Sequence, residues 1–569
     1  MLHLEENENE SHLSIHPSTN FPSTVSTNQP FNKKRKTTNI VNNSRNQKKR
    51  GNATQSILSS APSKKFRGFL PRKARWATYL LGFIALWLLL WWGYGDVLAR
   101  AEQDSYISTS SSTLHYLLSQ PAGWLFWSMR WLLLAFKWSI VGGACLAAVW
   151  TLTARLSDYA LRMPRQLEGL GFIIPLLEFG WMAWRGTNLY YKNEPSLFIL
   201  VALAVLTVMA LLAAATGAIT RNRKAEVPEK VRPYGLALAL VLTTATAITT
   251  RIFNENVILT ARLQNMQAEQ DWEGMIKVAR SARRPSRAIA AYHAVALEET
   301  DQLLDGMYEI GYDFPKINFD KREGNEEDGI YTADCNFHAG LLNAAYRCAL
   351  EHTVMNGPRL YAYKRAAVCA LLNGEKALCR KYLALIDKVP FEGAFVEKYA
   401  AMLRDPKLIS EDEELTHVLS LAPKEDNYEQ NYQQPLFLGY NVGVNNGTEA
   451  TLITSTAACL YSKDLQKFML RAQIFAQKGK TLPLCMQQAI AILSIKQPSI
   501  LQAFPQVSKF VQDDVINFLM DARPYIKDRL KLRSELRERW LGTYMYYYYT
   551  ENNDPDQVVK PTQNKASVN

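Results

Sequence analysis

The chain has 569 residues, 48% of them hydrophobic, and a formal net charge of +12 at pH 7. That is enough apolar material for a helical bundle together with one or two further domains. The charge excess is local, with 14 Lys and Arg against four Glu in residues 1–75 but 38 basic against 40 acidic side chains in residues 251–569, which excludes the concentrated positive surface a nucleic-acid partner requires.

Residues 1–75 are rich in Ser, Thr, Asn, Gln and Lys and poor in aromatics. They cannot bury enough apolar surface to offset the entropy of ordering, so a disordered basic cytoplasmic tail is expected. KKRK at Lys33–Lys36 and KKR at Lys48–Arg50 read as a juxtamembrane basic segment at an anionic leaflet, because apolar runs follow at once.

Residues 76–252 are predicted to form a transmembrane region of about five spans. The first, Ala77–Gly95, carries Trp87, Trp91, Trp92 and Tyr94 as an interfacial belt. Pro121–Trp131 reads as an interfacial piece leading to a second span, Leu132–Leu152. Leu167–Trp184, containing Pro175 and Glu178, reads as the third, Pro195–Ile219 as the fourth, and the run that starts at Tyr234 as the fifth. Arg155, Arg162 and Arg165 mark one loop as cytoplasmic, and so do the five basic residues of Arg221–Arg232 against Glu226 and Glu229. The loop Asp96–Gln120 has three acids and only Arg100 as a basic residue, which suits the other side. The expected topology is a multi-pass protein of the cell inner membrane, in contact with the lipid bilayer. Its N-terminus is cytoplasmic and its C-terminal domain extracytoplasmic, in the periplasm.

From residue 253 to 550 the pattern changes to amphipathic helices joined by short turns. Phe314–Asp334 and Ala422–Thr448 read as polar loops, and 551–569 as a disordered tail. The expected fold class is all-α, a bundle of about five transmembrane helices followed by a degenerate helical array. DWEGMIKVA (Asp271–Ala279), NGEKALCRKYLALI (Asn373–Ile386) and SKDLQKFMLRAQ (Ser462–Gln473) each pair a polar turn with an alanine or apolar stripe. This is similar to the second helix of a tetratricopeptide unit, although the copies lie about 100 and 90 residues apart rather than 34.

AEQDSY and QPAGWLFW after the first span, NAAYRCALEHTV and ALCRKYLALI in the array, and the ending LGTYMYYYYT carry a second resemblance. From about Ala77 the chain resembles a family of uncharacterised bacterial multi-span membrane proteins with an extracytoplasmic helical domain. The resemblance implies architecture and location, and no catalytic residue.

Several side chains are candidates for chemistry. Glu178 stands mid-span, where an acid is costly and therefore a functional candidate, with Lys137 as an ion-pair partner from the neighbouring span. Glu102 and Asp104 occupy the first outer loop, where membrane glycosyltransferases that use lipid-linked donors carry a catalytic acid. Cys369 and Cys379 lie at equal distance from Gly374 on two arms of a hairpin, so a disulfide and a pair of buried thiols are both open. Cys335-x2-His338 and Cys348-x3-His352 have zinc-ligand residue types. One continuous helix would hold His338 and Cys348 about 15 Å apart, so no metal is expected there. Gly443–Ala450 lacks the lysine of a phosphate-binding loop, and neither a metalloprotease motif nor a nucleophile elbow occurs, so no cofactor is expected. The aromatic end, Trp540, Tyr544 and Tyr546–Tyr549, reads as the cap of the last helix, and Asn446-Gly-Thr448 fits a glycosylation acceptor. The function expected is a membrane-anchored helical scaffold that binds a protein or envelope polymer. The alternative is an envelope enzyme or transporter, for example one that moves a glycosyl or lipid-linked group.

Overall fold

The structure, a computed structural model, describes residues 70–71, 75–164, 166–192, 194–220, 230–231, 234–312, 328–423 and 448–551. Residues 1–69, most of the basic loop at 221–232, 314–327, most of Ala422–Thr448 and 552–569 therefore lie outside the described residues, whereas Asp328–Asp334, expected as the end of a polar loop, is helical because it continues into the buried helix Asp328–His338. The glycosylation motif up to Thr448 also lies outside the described residues. All described residues belong to one compact unit, 67–569.

Among the described residues the fold is all-α apart from a two-residue antiparallel pair, β1 (Leu70–Pro71) with β2 (Lys230–Val231). The apolar runs form α1 (Arg75–Leu88), continued by a π-helical turn to Gly93, α5 (Ser139–Ala160), α7 (Leu197–Thr220) and α8 (Tyr234–Phe253). These four are long and apolar enough to cross a membrane. Between α1 and α5 the chain makes α2 (Gly95–Gln103), α3 (Ser111–Ser119) and α4 (Gly123–Leu133). The second long helix therefore starts at Ser139, not Leu132, because a 3-10 turn at Leu134–Lys137 separates it from α4.

The third expected span is shorter than its apolar run. A 3-10 turn occupies Leu170–Phe172, α6 covers only Ile173–Arg185, and a second 3-10 turn follows at Gly186–Leu189. Thirteen α-helical residues reach about 20 Å, short of a hydrocarbon core of about 30 Å. The cause is local. Asp158, near the end of α5, accepts hydrogen bonds from Gly169 N (2.7 Å), Gly171 N (2.8 Å) and the Tyr79 hydroxyl (3.0 Å). A Cβ on Gly171 would stand 2.1 Å from the Ala154 carbonyl oxygen, so only glycine lets this turn lie against α5. Pro175 consequently falls in the first turn of α6, where its missing N–H is not needed.

The helices α1, α5, α6, α7 and α8 alternate in direction. Thr216 Oγ1 donates to the Ala160 carbonyl (3.2 Å) while Phe136 packs on Phe198 (5.8 Å), so α5 and α7 run the same way. Gly235 N donates to Gln166 O (3.0 Å) and the Asn254 amide reaches Ala183 O, so α6 and α8 run together in the opposite sense. The β1–β2 pair sets the start of α1 beside the start of α8. The chain thus enters the bundle at one end and leaves it at the other.

Only Asn254 separates α8 from α9 (Glu255–Ala268), the first helix of the polar half. Then come α10 (Trp272–Arg280), α11 (Arg287–Glu299), α12 (Leu303–Gly306), α13 (Asp328–His338), α14 (Leu342–Asn356), α15 (Leu360–Leu372), α16 (Lys376–Ile386), α17 (Gly393–Arg404) and α18 (Glu413–Leu421). After the second polar loop follow α19 (Glu449–Ser462), α20 (Leu465–Gln477), α21 (Leu484–Lys496), α22 (Ile500–Ala503), α23 (Lys509–Ala522), α24 (Arg529–Trp540) and α25 (Tyr544–Thr550).

The three similar segments found in the sequence make one kind of turn. Gln270, Gly374 and Lys463 have φ of 60°, 75° and 60°, and each next N–H bonds back five residues: Asp271 to Met266 (3.0 Å), Glu375 to Ala370 (2.8 Å), Asp464 to Cys459 (2.9 Å). This left-handed C-cap ends one helix and starts the second arm of each hairpin. The hairpins do not form a single row, however. Helices α9–α12 share one hydrophobic core with α19–α25, while residues 337–418 build a second. The aromatic end lies in the first core, with Tyr547 4.7 Å and Tyr544 5.4 Å from Tyr308, so these rings close the domain from inside.

Candidate functional site

The polar residues with the richest contacts lie where the exit end of the bundle meets the helical domain. The segment from the last turn of α2, Glu102–Thr109, is threaded between the two halves. Arg359 Nη1 donates to the carbonyls of Asp104 (2.8 Å) and Tyr190 (2.9 Å), Leu360 N to Ser105 O (3.2 Å), and Thr109 N to Lys388 O (2.8 Å). The Tyr106 hydroxyl donates to Leu385 O (3.1 Å), and the Tyr106 carbonyl accepts from Arg130 (3.1 Å), whose guanidinium also grips Glu194 (2.8 Å).

Glu102 and Asp104 are both buried in this junction. Asp104 is 1% exposed and accepts from Arg100 Nε at 2.9 Å. Glu102 is 4% exposed and is hydrogen-bonded by Gln103 (2.6 Å). Burial pushes the Glu102 carboxyl up to about 7, with the charge of Lys137 opposing. It borders a cavity of about 10 Å³, with Ser105, Arg130, Leu360 and Val389 among the lining residues. That space admits about one water molecule.

Lys137 and Glu178 do not meet. Lys137 Nζ binds Glu392 (2.7 Å) and the Phe391 carbonyl (3.0 Å), and Lys364 takes the other oxygen of Glu392 (2.7 Å). Glu178 accepts from the Trp150 indole N–H (2.7 Å) instead. The reason is geometric: Lys137 lies in the 3-10 turn ahead of α5 and points into the junction, away from the mid-bundle level of Glu178.

Cys369 and Cys379 are both free and fully buried in the second core. Their thiols have different neighbours, Cys369 lying near Arg365, Asp334 and Cys348, and Cys379 near Arg380. Burial pushes Cys369 up to about 12 and Cys379 up to about 11, which keeps them as unreactive thiols.

The Cys/His set behaves differently from its expected geometry. The helix does break between His338 and Cys348, at Gly340 (φ 74°). The two histidines still take different partners. His338 pairs with Glu299 (2.5 Å), and His352 packs edge-on to Tyr191 (4.7 Å). What the sequence did not reveal are the partners: Arg359, Glu392, Lys364, the Asp334–Arg365 pair and the Glu298–His417 pair. Lys137 and Glu392 are 255 residues apart and share no motif.

One buried histidine gives a pH dependence. Both ring nitrogens of His293 are buried without a hydrogen bond, and burial pushes its pKa down to about 3, with Arg280 adding. The unfolded chain binds the proton below about 6.5 and the folded chain does not until about 3. Stability from this group is therefore complete above pH 6.5 and falls as pH drops. By pH 5 the loss is about 2 kcal/mol. His293→Phe is expected to lose less melting temperature than the parent between pH 7.5 and 5, and equal losses would refute this assignment.

Taken together, these contacts define a class: an all-α protein in which apolar helices of membrane-spanning length are joined through a buried polar junction to a domain of helical hairpins. The chain belongs to a family of unknown function (DUF6057), whose profile matches residues 72–216 and 187–551. No curated protein and no solved structure matches the chain.

Proposed function

We propose that this chain is a multi-pass protein of a bacterial inner membrane whose tetratricopeptide-like domain lies outside the cytoplasm and binds a protein or envelope polymer there. Four apolar helices of spanning length and the alternating directions of α1, α5, α6, α7 and α8 support the membrane reading. Arg155 and Arg162 lie at the entry end of the bundle, and so does β2 of the basic loop, while the helical domain sits on the exit end. This fits the rule that basic loops stay cytoplasmic.

The observation that carries the binding role over an enzymatic one is the destination of the three candidate acids. Glu102 and Asp104 are buried in the junction, and Glu178 is held by Trp150 within the bundle. The helical domain is fixed on the bundle and not hung from a linker, so a bound partner would be held at a set height above the membrane.

Sidedness is checked with one introduced cysteine in a Cys145→Ser/Cys348→Ser background, where the five remaining cysteines are buried. A cysteine replacing Met355, which is 81% exposed, is expected to react with a membrane-impermeant maleimide in intact cells whose outer membrane is permeabilised. One replacing Glu226 is expected not to react. Labelling at Glu226 would overturn the topology. The role is checked by complementation of a deletion strain. Glu102→Gln and Glu178→Gln are expected to complement fully, and failure of either at normal abundance would favour the enzyme or transporter.

A further inference from the structure

The last turn of α11 carries two neighbouring acids, Glu298 and Glu299, which meet α18 and the end of α13. Glu298 Oε1 accepts from His417 Nε2 at 2.8 Å. One carboxylate oxygen from each acid and one ring nitrogen of His417 all lie within 4.8 Å of one another. Glu298 is 5% exposed, and its second oxygen, Oε2, is buried with no hydrogen-bond partner. A carboxylate oxygen accepts only, so a buried one without a donor is a costly group that a cation would satisfy. We propose that Glu298, Glu299 and His417 form a binding site for a divalent transition-metal cation of the zinc type.

The donor set selects that class. One imidazole with two carboxylates suits zinc and its neighbours in the first transition row, while calcium and magnesium take oxygen ligands alone. Ligand atoms on a tetrahedral zinc at about 2.1 Å stand about 3.4 Å apart. No pair of donors therefore has to close by more than about 1.4 Å, while His417 Nε2, 2.8 Å from Glu298 Oε1, has to open slightly to share a cation with it.

The surroundings resemble the support of a metal ligand. His338 Nδ1 lies 2.5 Å from Glu299 Oε1, and its other nitrogen lies 2.9 Å from the Gln267 amide. This is the outer hydrogen-bond shell that orients a ligating carboxylate. The His417 side chain is 25% exposed and opens the site to solvent. Glu298 and His417 are 119 residues apart, α11 belonging to the first core and α18 to the second. A bound cation would clamp the two cores together.

The test uses the full chain purified in detergent and stripped with EDTA, then supplied with zinc or cobalt(II) chloride. One equivalent is expected to remain after gel filtration, bound with Kd below about 1 μM, with only nitrogen and oxygen in the cobalt X-ray absorption shell. His417→Ala and Glu299→Gln are each expected to weaken binding at least tenfold, and Cys335→Ser is expected to leave it unchanged. The cobalt spectrum of the parent protein decides the matter should a variant fail to fold. No retained metal, sulfur in the shell, or unchanged affinity in folded His417→Ala would each overturn the proposal.

Discussion

Replacing Arg365 with leucine is expected to destabilise the helical domain by about 3–5 kcal/mol, the usual result of removing one partner from a buried ion pair. Arg365 Nη2 lies 2.5 Å from Asp334 Oδ1, and the Asp334 side chain is fully buried. Burial works to raise the Asp334 carboxyl, and the charges of Arg365 and Arg100 overcome it, so it is held below the usual carboxylate range. The Tyr292 hydroxyl donates to its other oxygen (2.9 Å), and the Arg365 guanidinium lies 4.0 Å over the Phe337 ring. Without Arg365, an ionised carboxylate would remain in an apolar core. The double variant Arg365→Leu/Asp334→Leu is expected to regain most of the loss, because replacing both partners by apolar groups removes the stranded charge. Melting curves of the three variants in detergent provide the check, and a double variant no more stable than Arg365→Leu would refute the pairing argument.

The second large effect is expected at Arg359, which is 2% exposed. Its guanidinium donates to the carbonyls of Asp104 (2.8 Å), Tyr190 (2.9 Å) and Asn356 (3.0 Å). These come from the turn after α2, the turn before α7 and the end of α14, so one side chain ties two bundle loops to the helical domain. Arg359→Met removes donors from three carbonyls at about 1–3 kcal/mol each where no water enters, a total of several kcal/mol. Limited proteolysis is expected to cut the 104–110 segment of this variant first and that of the parent much later. Lysine is not expected to rescue, because a single ammonium does not reproduce the planar fork that reaches three acceptors. Equal cleavage of parent and Arg359→Met would remove the junction from the account.

The candidate site was legible in the sequence only in part. Glu102, Asp104, Glu178 and Lys137 stand out because charges beside or within apolar runs are costly. Their roles were not legible, because each partner comes from elsewhere: Glu392 for Lys137, Trp150 for Glu178, and Arg359 for the Asp104 backbone. Glu298, Glu299 and His417 sit on two amphipathic helices with no spacing to mark them. Only packing of the two cores brings them together.

The sequence by itself determined what depends on neighbours along the chain. Unbroken apolar runs made α1, α7 and α8, and three- and four-residue periodicity made the hairpin helices. Asn373-Gly374 made a left-handed turn because glycine adopts positive φ without strain. Tertiary structure decided what depends on contacts across the chain. Asp158 captured two glycine N–H groups and left α6 thirteen residues long inside a run that reads as a full span. The first and last hairpins joined in one core instead of forming a row. The physical reason is the same in both cases. Helix formation is governed by residues within four positions, whereas a buried charge or a half-covered apolar face takes whichever partner the whole fold brings within reach.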